Sequence, residues 1–157
     1  MILIAYASKT GNAKQAAERL AALLLSADLR DLTQATPSLE NYDSVIIGAG
    51  VRMNSIHKDA KAFLEVNKDA LLTKKCAIFI SNCFADKADE ILKASVPEEL
   101  RNAAVWIGSV GGCLDMATLK GFDKMVAKAV SKAVKEDQKV NTELDEVALG
   151  ELAACFN

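Results

Sequence analysis

The sequence predicts an α/β fold in which a five-stranded parallel sheet is covered by helices on both faces. Three observations predict it. Strand-like runs at residues 1–6, 28–32, 44–48, 76–80 and 105–110 are separated by stretches with helical spacing, and strands joined through helices pair in parallel. Four of those runs are continuously apolar rather than alternating, as expected of strands buried on both faces. The 157 residues are 51% hydrophobic with no shift in composition along the chain, which suits a single domain over 1–157 with a full core.

Residues 1–6, Met-Ile-Leu-Ile-Ala-Tyr, form the first strand, and Ala13, Ala16, Ala17, Leu20, Leu23 and Leu24 mark a helix over 12–25. A short second strand follows at 28–32, then a polar link through Thr36-Pro37-Ser38. The third strand, 44–48, ends in Gly48-Ala49-Gly50, small residues that let a flat ligand approach the backbone, with residues 51–55 as the body of a loop. A helix is expected from about Ser55, with Ala60, Phe63, Leu64 and Leu71 facing inward. The fourth strand, 76–80, runs into the loop Ser81-Asn82-Cys83-Phe84-Ala85 and a helix over 86–95. Pro97-Glu98-Glu99 opens another helix. After the fifth strand, 105–110, and Gly111-Gly112, helices over 119–135 and 142–156 close the chain.

The first strand turns into the first helix through Ser8-Lys9-Thr10-Gly11-Asn12-Ala13. The first N–H groups of a helix have no intrahelical partner and carry the positive end of the dipole, so such a junction attracts an anion. Ser8, Thr10 and Asn12 add side-chain donors, and Gly11 lets the backbone close on the ligand. The junction therefore reads as a phosphate cradle. An ordinary N-capped helix start, with Thr10 or Asn12 as cap, is the plainer reading.

Ser8-x-Thr10-Gly11-Asn12 directly after the first strand resembles the phosphate loop of flavodoxins, with Ala13 where that motif usually has Thr. Leu39, Tyr42-Asp43 and Val45-Ile46-Ile47-Gly48 are similar to the approach to strand three in the same family. The resemblance covers essentially the whole chain. It implies a flavodoxin-like three-layer sandwich with strand order 2-1-3-4-5, whose ligand crevice lies between strands one and three. It also implies FMN as cofactor, with Ser8, Lys9, Thr10, Gly11, Asn12 and Ala13 at the phosphate. Gly48, Ala49, Gly50, Val51, Arg52 and Met53 would lie along the ring edge, and Asn82, Cys83 and Phe84 on the opposite wall. The loops would then set the flavin potentials while the ring does the chemistry.

A narrower resemblance rests on two segments. Gly48-Ala49-Gly50-Val51-Arg52-Met53-Asn54-Ser55-Ile56-His57 looks like the second loop of the flavodoxin-type, quinone-dependent protoporphyrinogen dehydrogenases, and Gly121-Phe122-Asp123-Lys124-Met125 is similar to an element of their penultimate helix. It implies Arg52 and His57 as catalytic candidates. Arg52 would pair with a substrate carboxylate or with negative charge on reduced flavin, and is otherwise a solvated loop residue. His57 would relay a proton, or would cap the following helix.

Composition narrows the field further. A formal net charge of −2 provides no basic footprint, which argues against nucleic acid as a partner. No apolar run is long enough to span a bilayer, and the first strand lacks the basic lead-in of a signal peptide, so a cytoplasmic protein is expected. Cys76, Cys83, Cys113 and Cys155 form no Cys-x-x-Cys pair, and with one histidine no metal set is expected. The four cysteines are expected to be reduced thiols.

Three functions are consistent with these features: an FMN redox protein passing electrons to a partner protein or quinone, the specific dehydrogenase, and a flavin-free binding module. Lys120, Lys124, Lys128 and Lys132 recur at four-residue spacing and make one positive ridge on the predicted helix. A solvated face is the default for such a ridge; docking to an acidic redox partner or to anionic lipid at the inner face of a membrane is the sharper reading. Replacing all four lysines with Gln is expected to weaken partner or liposome binding at low salt; unchanged co-sedimentation with anionic vesicles and unchanged partner binding would leave the ridge as a solvated face.

Overall fold

The computed structural model describes residues 1–112 and 143–157. The apolar runs form strands as expected. β1 (Ile2–Ala7), β2 (Ala27–Asp31), β3 (Ser44–Arg52), β5 (Lys75–Ser81) and β6 (Trp106–Ser109) pair in parallel in the order β2-β1-β3-β5-β6. This is the expected order of five parallel strands. The addition is β4 (Ser55–Ile56), a two-residue strand that folds back antiparallel on the end of β3, pairing Val51 with Ile56 and Arg52 with Ser55.

Alternation along each strand divides the core into two layers. Leu3, Ala5, Val45, Ile47, Ile78 and Ile80 face α2 (Lys58–Val66), α3 (Lys68–Leu72), α4 (Ala88–Ser95) and α5 (Glu98–Ala103), which contribute Phe63, Leu64, Leu71, Ile91, Leu92 and Leu100. Ile4, Tyr6, Ile46, Ala77 and Phe79 face α1 (Asn12–Leu23) and α6 (Glu146–Ala154), which contribute Ala16, Ala17, Leu20, Leu149 and Leu152. Each layer is an apolar helix stripe against one side of the pleat.

Several boundaries differ from the sequence reading, each for a local reason. β3 continues to Arg52 because residues 51–52 find hydrogen-bonding partners in the returning strand. The connecting Met53 and Asn54 both take left-handed backbone, φ 51° and 61°, as a tight hairpin turn of the primed kind demands. The next helix therefore begins at Lys58, with His57 as its cap, rather than at Ser55. It ends at Asn67, whose backbone N–H and side-chain amide both donate to the Phe63 carbonyl. Residues 85–87 form a single 3₁₀ turn, and α4 follows at Ala88. The predicted helix over 119–135 lies outside the described residues.

Tyr42 links the β3 approach to β2: its hydroxyl donates to an Asp28 carboxylate oxygen at 2.8 Å, and that bond holds the phenol above its ordinary pKa. Gly48 is required by packing rather than by backbone freedom, because a Cβ there would overlap the ring of Phe79, which is fully buried in the opposite strand. Gly48→Ala is expected to cost about 1–3 kcal/mol of unfolding free energy through overpacking, read from the denaturant midpoint. Adding Phe79→Leu should recover part of that loss, whereas full stability of the single variant would contradict the close contact.

Candidate functional site

β1 is followed by α1 on one face of the sheet, and β3 leads through the hairpin to α2 on the other. Adjacent strands whose chains leave to opposite faces open a crevice at their carboxyl ends. A cavity of about 370 Å³ lies there. Lys9, Thr10 and Asn12 line one end, residues 50–52 and 55–58 form one wall, and Ser81, Asn82, Cys83 and Gly112 form the other.

The first loop is built around Gly11. It caps α1 in a left-handed conformation, φ 94°, and no side chain caps the helix. The plain N-cap reading is thus not realised by Thr10 or Asn12. Instead the Ser8 hydroxyl oxygen accepts from the Gly11 N–H at 2.9 Å, and the Asn12 amide donates to the Thr10 hydroxyl oxygen at 3.1 Å. These two bonds shape the turn, and Thr10 and Asn12 line the cavity end where α1 begins. No acidic residue occupies that first turn, so the positive end of the helix dipole is not offset by a carboxylate of the helix itself.

The hairpin supplies the second wall. The His57 N–H donates to the Gly50 carbonyl at 3.0 Å, which folds the returning chain against β3. His57 Nδ1 accepts from the Asp59 N–H at 3.1 Å, so the neutral ring carries its proton on Nε2. His57 therefore caps α2 and lines the cavity at once; the two readings of this residue are compatible.

The third wall is cross-linked to the end of β6. The buried Ser81 hydroxyl lies 2.7 and 2.6 Å from the carbonyls of Gly111 and Gly112, to which it donates. Asn82 accepts from the Ser109 hydroxyl and donates to the Phe84 carbonyl at 2.7 Å, and the Gly111 N–H donates to Ser109 at 3.1 Å. The amide of Asn82 is thus engaged in shaping the loop. Cys83 is 8% exposed and is disulfide-bonded, which corrects the expectation of a reduced thiol; Cys76 and Cys155 are free. Burial pushes the Cys76 thiol up to about 12, so it stays protonated and inert at neutral pH.

Of the residues chosen from sequence, Lys9, Thr10, Asn12, Gly50, Val51, Arg52, His57, Asn82 and Cys83 line the cavity. Ser8, Gly11, Ala13, Gly48, Ala49, Met53 and Phe84 are outside that lining. Ser8 and Gly11 shape the loop, whereas Ala13 and Ala49 are core residues. Gly48 faces Phe79, and Met53 sits at the hairpin tip, 84% exposed. Ser55, Ile56, Lys58, Ser81 and Gly112 join the lining without having been singled out. The first three arrive through the hairpin, whose turn carries no glycine to announce it. The lining includes Lys9, Arg52 and Lys58 but no Asp or Glu among the described residues, a balance that favours an anionic ligand. Residues 121–125 and the four lysines of the ridge lie outside the described residues. No described helix is long and apolar enough to cross a membrane.

A parallel α/β sheet with an anion cradle at its switch point defines a class of nucleotide-binding folds. The family model for a flavodoxin domain matches residues 3–141, and the chain belongs to that family. Oxidised Flavodoxin 1 from Bacillus cereus is similar in structure, with 22% identity, a TM-score of 0.53 and coverage of 85% of this chain and 95% of that one. A flavodoxin from the domain Archaea shares 15% identity at a TM-score of 0.52, covering 86% and 99%. The flavodoxin, WrbA-like protein from Agrobacterium tumefaciens shares 14% at 0.54, covering 94% and 96%. No curated protein matches the sequence.

If the His57 ring caps α2 through Nδ1, His57→Asn retains the cap while His57→Ala costs about 1 kcal/mol. Denaturation of the three proteins side by side checks this; equal stability of all three would remove the capping role.

Proposed function

We propose that the chain is an FMN-binding, flavodoxin-like redox protein that passes electrons through its bound flavin. The observation that carries this is the α1 N-terminus without a side-chain cap, bordered by Lys9, Thr10 and Asn12, at the end of the cavity where strands β1 and β3 diverge. When bound, FMN supplies one- and two-electron redox chemistry. This chain's residues supply the rest. Lys9, Thr10, Asn12 and the first-turn N–H groups hold the phosphate. The backbone of residues 50–52 would border the ring edge, where Gly50 admits close approach, and the wall of Asn82, Cys83 and Gly112 would exclude water from the other side. His57, with its proton on Nε2, lines the cavity as a hydrogen-bond donor, and Arg52 would contribute positive charge beside an anionic ligand. The electron partner is a redox protein or a quinone.

A second reading, quinone-dependent oxidation of protoporphyrinogen IX, is favoured by one observation: Arg52 and His57, the two residues of the narrower sequence resemblance, both line the cavity. In that reading the guanidinium of Arg52 would pair with a substrate propionate beside the site where bound FMN would supply the redox chemistry.

An absorption spectrum of the protein with FMN, followed by anaerobic porphyrinogen and then a water-soluble quinone, separates these readings. Bleaching by the porphyrinogen and recovery with quinone supports the dehydrogenase. Bound flavin reduced only by a reductase supports an electron carrier, and no bound flavin leaves a binding module. Thr10→Glu places a carboxylate where the phosphate should sit and is expected to abolish FMN binding with the circular dichroism spectrum unchanged; normal flavin content in that variant would put the phosphate elsewhere.

A further inference from the structure

Asn82 carries more hydrogen-bonding capacity than the loop it shapes uses. A carboxamide has two N–H donors and one acceptor oxygen. Oδ1 of Asn82 accepts from the Ser109 hydroxyl, and one N–H donates to the Phe84 carbonyl at 2.7 Å. These partners fix which end of the amide lies where. Turned over, it would set Oδ1 against the Phe84 carbonyl oxygen, acceptor against acceptor, and would leave the Ser109 proton without its partner. Ser109 is itself held in place, because its oxygen accepts from the Gly111 N–H at 3.1 Å. The second N–H of Asn82 makes no hydrogen bond to any described residue. The residue is 5% exposed and lines the cavity, so the cavity is where that proton can be satisfied. A buried donor left unmade costs more than an average hydrogen bond returns.

We propose that this second N–H is the donor by which the wall after β5 recognises an uncharged acceptor on the ligand's ring, a carbonyl oxygen or an imine nitrogen. The proposal rests on the FMN reading of the site, since the flavin ring carries acceptors of both kinds. The chemistry of the lining divides accordingly. Lys9, Arg52 and Lys58 come from the loop after β1 and from the hairpin and its helix, whereas Ser81, Asn82, Cys83 and Gly112 bring no charged side chain. The cationic walls suit the phosphate, and the uncharged wall suits the neutral ring. Within that uncharged wall the Ser81 hydroxyl donates to the carbonyls of Gly111 and Gly112, so its proton is engaged, and Cys83, in a disulfide, has no thiol proton. Asn82 is thus the side-chain donor of this wall. Ser109 lies outside the lining and is a positioning residue: its hydroxyl pins Oδ1 and with it the plane of the amide. A neutral hydrogen bond of this kind contributes about threefold to tenfold in affinity.

The test follows the two side-chain amide protons of Asn82 by NMR in the full ¹⁵N-labelled chain, assigned through their own backbone, as FMN is added. The proton bonded to Phe84 should change little, whereas the second should shift and exchange more slowly with water once FMN is bound. Fluorescence quenching then compares FMN affinities. Asn82→Asp keeps an acceptor for the Ser109 hydroxyl but removes both N–H groups, and should bind FMN more weakly on the order of tenfold. Ser109→Ala cuts the tie to β6 but keeps both N–H groups and should lose less, and Ser109→Thr, which restores the hydroxyl, should recover the loss. A second proton that exchanges as fast with FMN as without it, or equal losses in Asn82→Asp and Ser109→Ala, overturns the donor role and leaves the FMN reading standing. Absence of flavin binding by the unaltered chain overturns that reading and the donor with it.

Discussion

The register of the parallel sheet is the constraint on which the site depends. Tyr6 pairs with Gly48, Ala7 with Ala49 and Gly50 with Ser81, so β1 and β5 end almost level and β3 continues past both into its hairpin. A one-residue slip in any pair would turn that strand's apolar set away from its helix layer and expose it. The two core layers therefore hold the register, and the register brings the loops starting at Ser8, Gly50 and Ser81 to one place. The divergence of the chain after β1 and β3 then makes the gap between those loops a cavity instead of a packed end. Binding geometry is in this sense a by-product of burial.

Within the cavity, the loops are made rigid in different ways. The first relies on Gly11 and the Ser8 hydroxyl, the second on antiparallel pairing with β4, and the third on the Ser81, Asn82 and Ser109 network. Much of the polar side-chain capacity around the site is thus directed at the backbone of the loops. The charged side chains that line the cavity, Lys9, Arg52 and Lys58, are all cationic, and His57 carries its proton on Nε2. Donors held in place before a ligand arrives stabilise negative charge without further reorganisation. A polar wall of this sign suits a phosphate at one end and accumulating negative charge on a reduced ring at the other.

The strands and their order were legible because buried parallel strands are written as apolar runs, and the phosphate loop because a strand turning straight into a helix leaves few alternatives. Finer placements were not legible. Gly48 and Ala49 read as ring-edge residues from their position at the end of an apolar run, but whether a strand residue faces ligand or core depends on where the strand ends. β3 extends four residues further, through Arg52. That extension depends on a turn at Met53 and Asn54, and Met is not a residue whose chemistry announces left-handed backbone. That Cys83 is disulfide-bonded was not legible either, because cysteine spacing alone does not carry connectivity.

The hairpin turn bears on function because of what it does not bury. Left-handed backbone at a non-glycine residue costs about 1–2 kcal/mol, and Met53, 84% exposed, recovers little of that through packing. Asn tolerates the conformation better, so Met53 carries most of the strain at this turn. The compensation lies in what the turn delivers: Ser55 and Ile56 return to pair with β3, the His57 N–H reaches the Gly50 carbonyl, and the imidazole is set at the head of α2, where it lines the same cavity as Arg52. A longer, relaxed loop could join β3 to α2 without strain. It would leave the ring of His57 and the guanidinium of Arg52 unplaced, and it would lose the wall that faces Cys83 across the cavity. Strain that persists at a site border, next to the residues that give the site its charge, is a reason to regard the hairpin as part of the binding machinery and not merely as a connection between a strand and a helix.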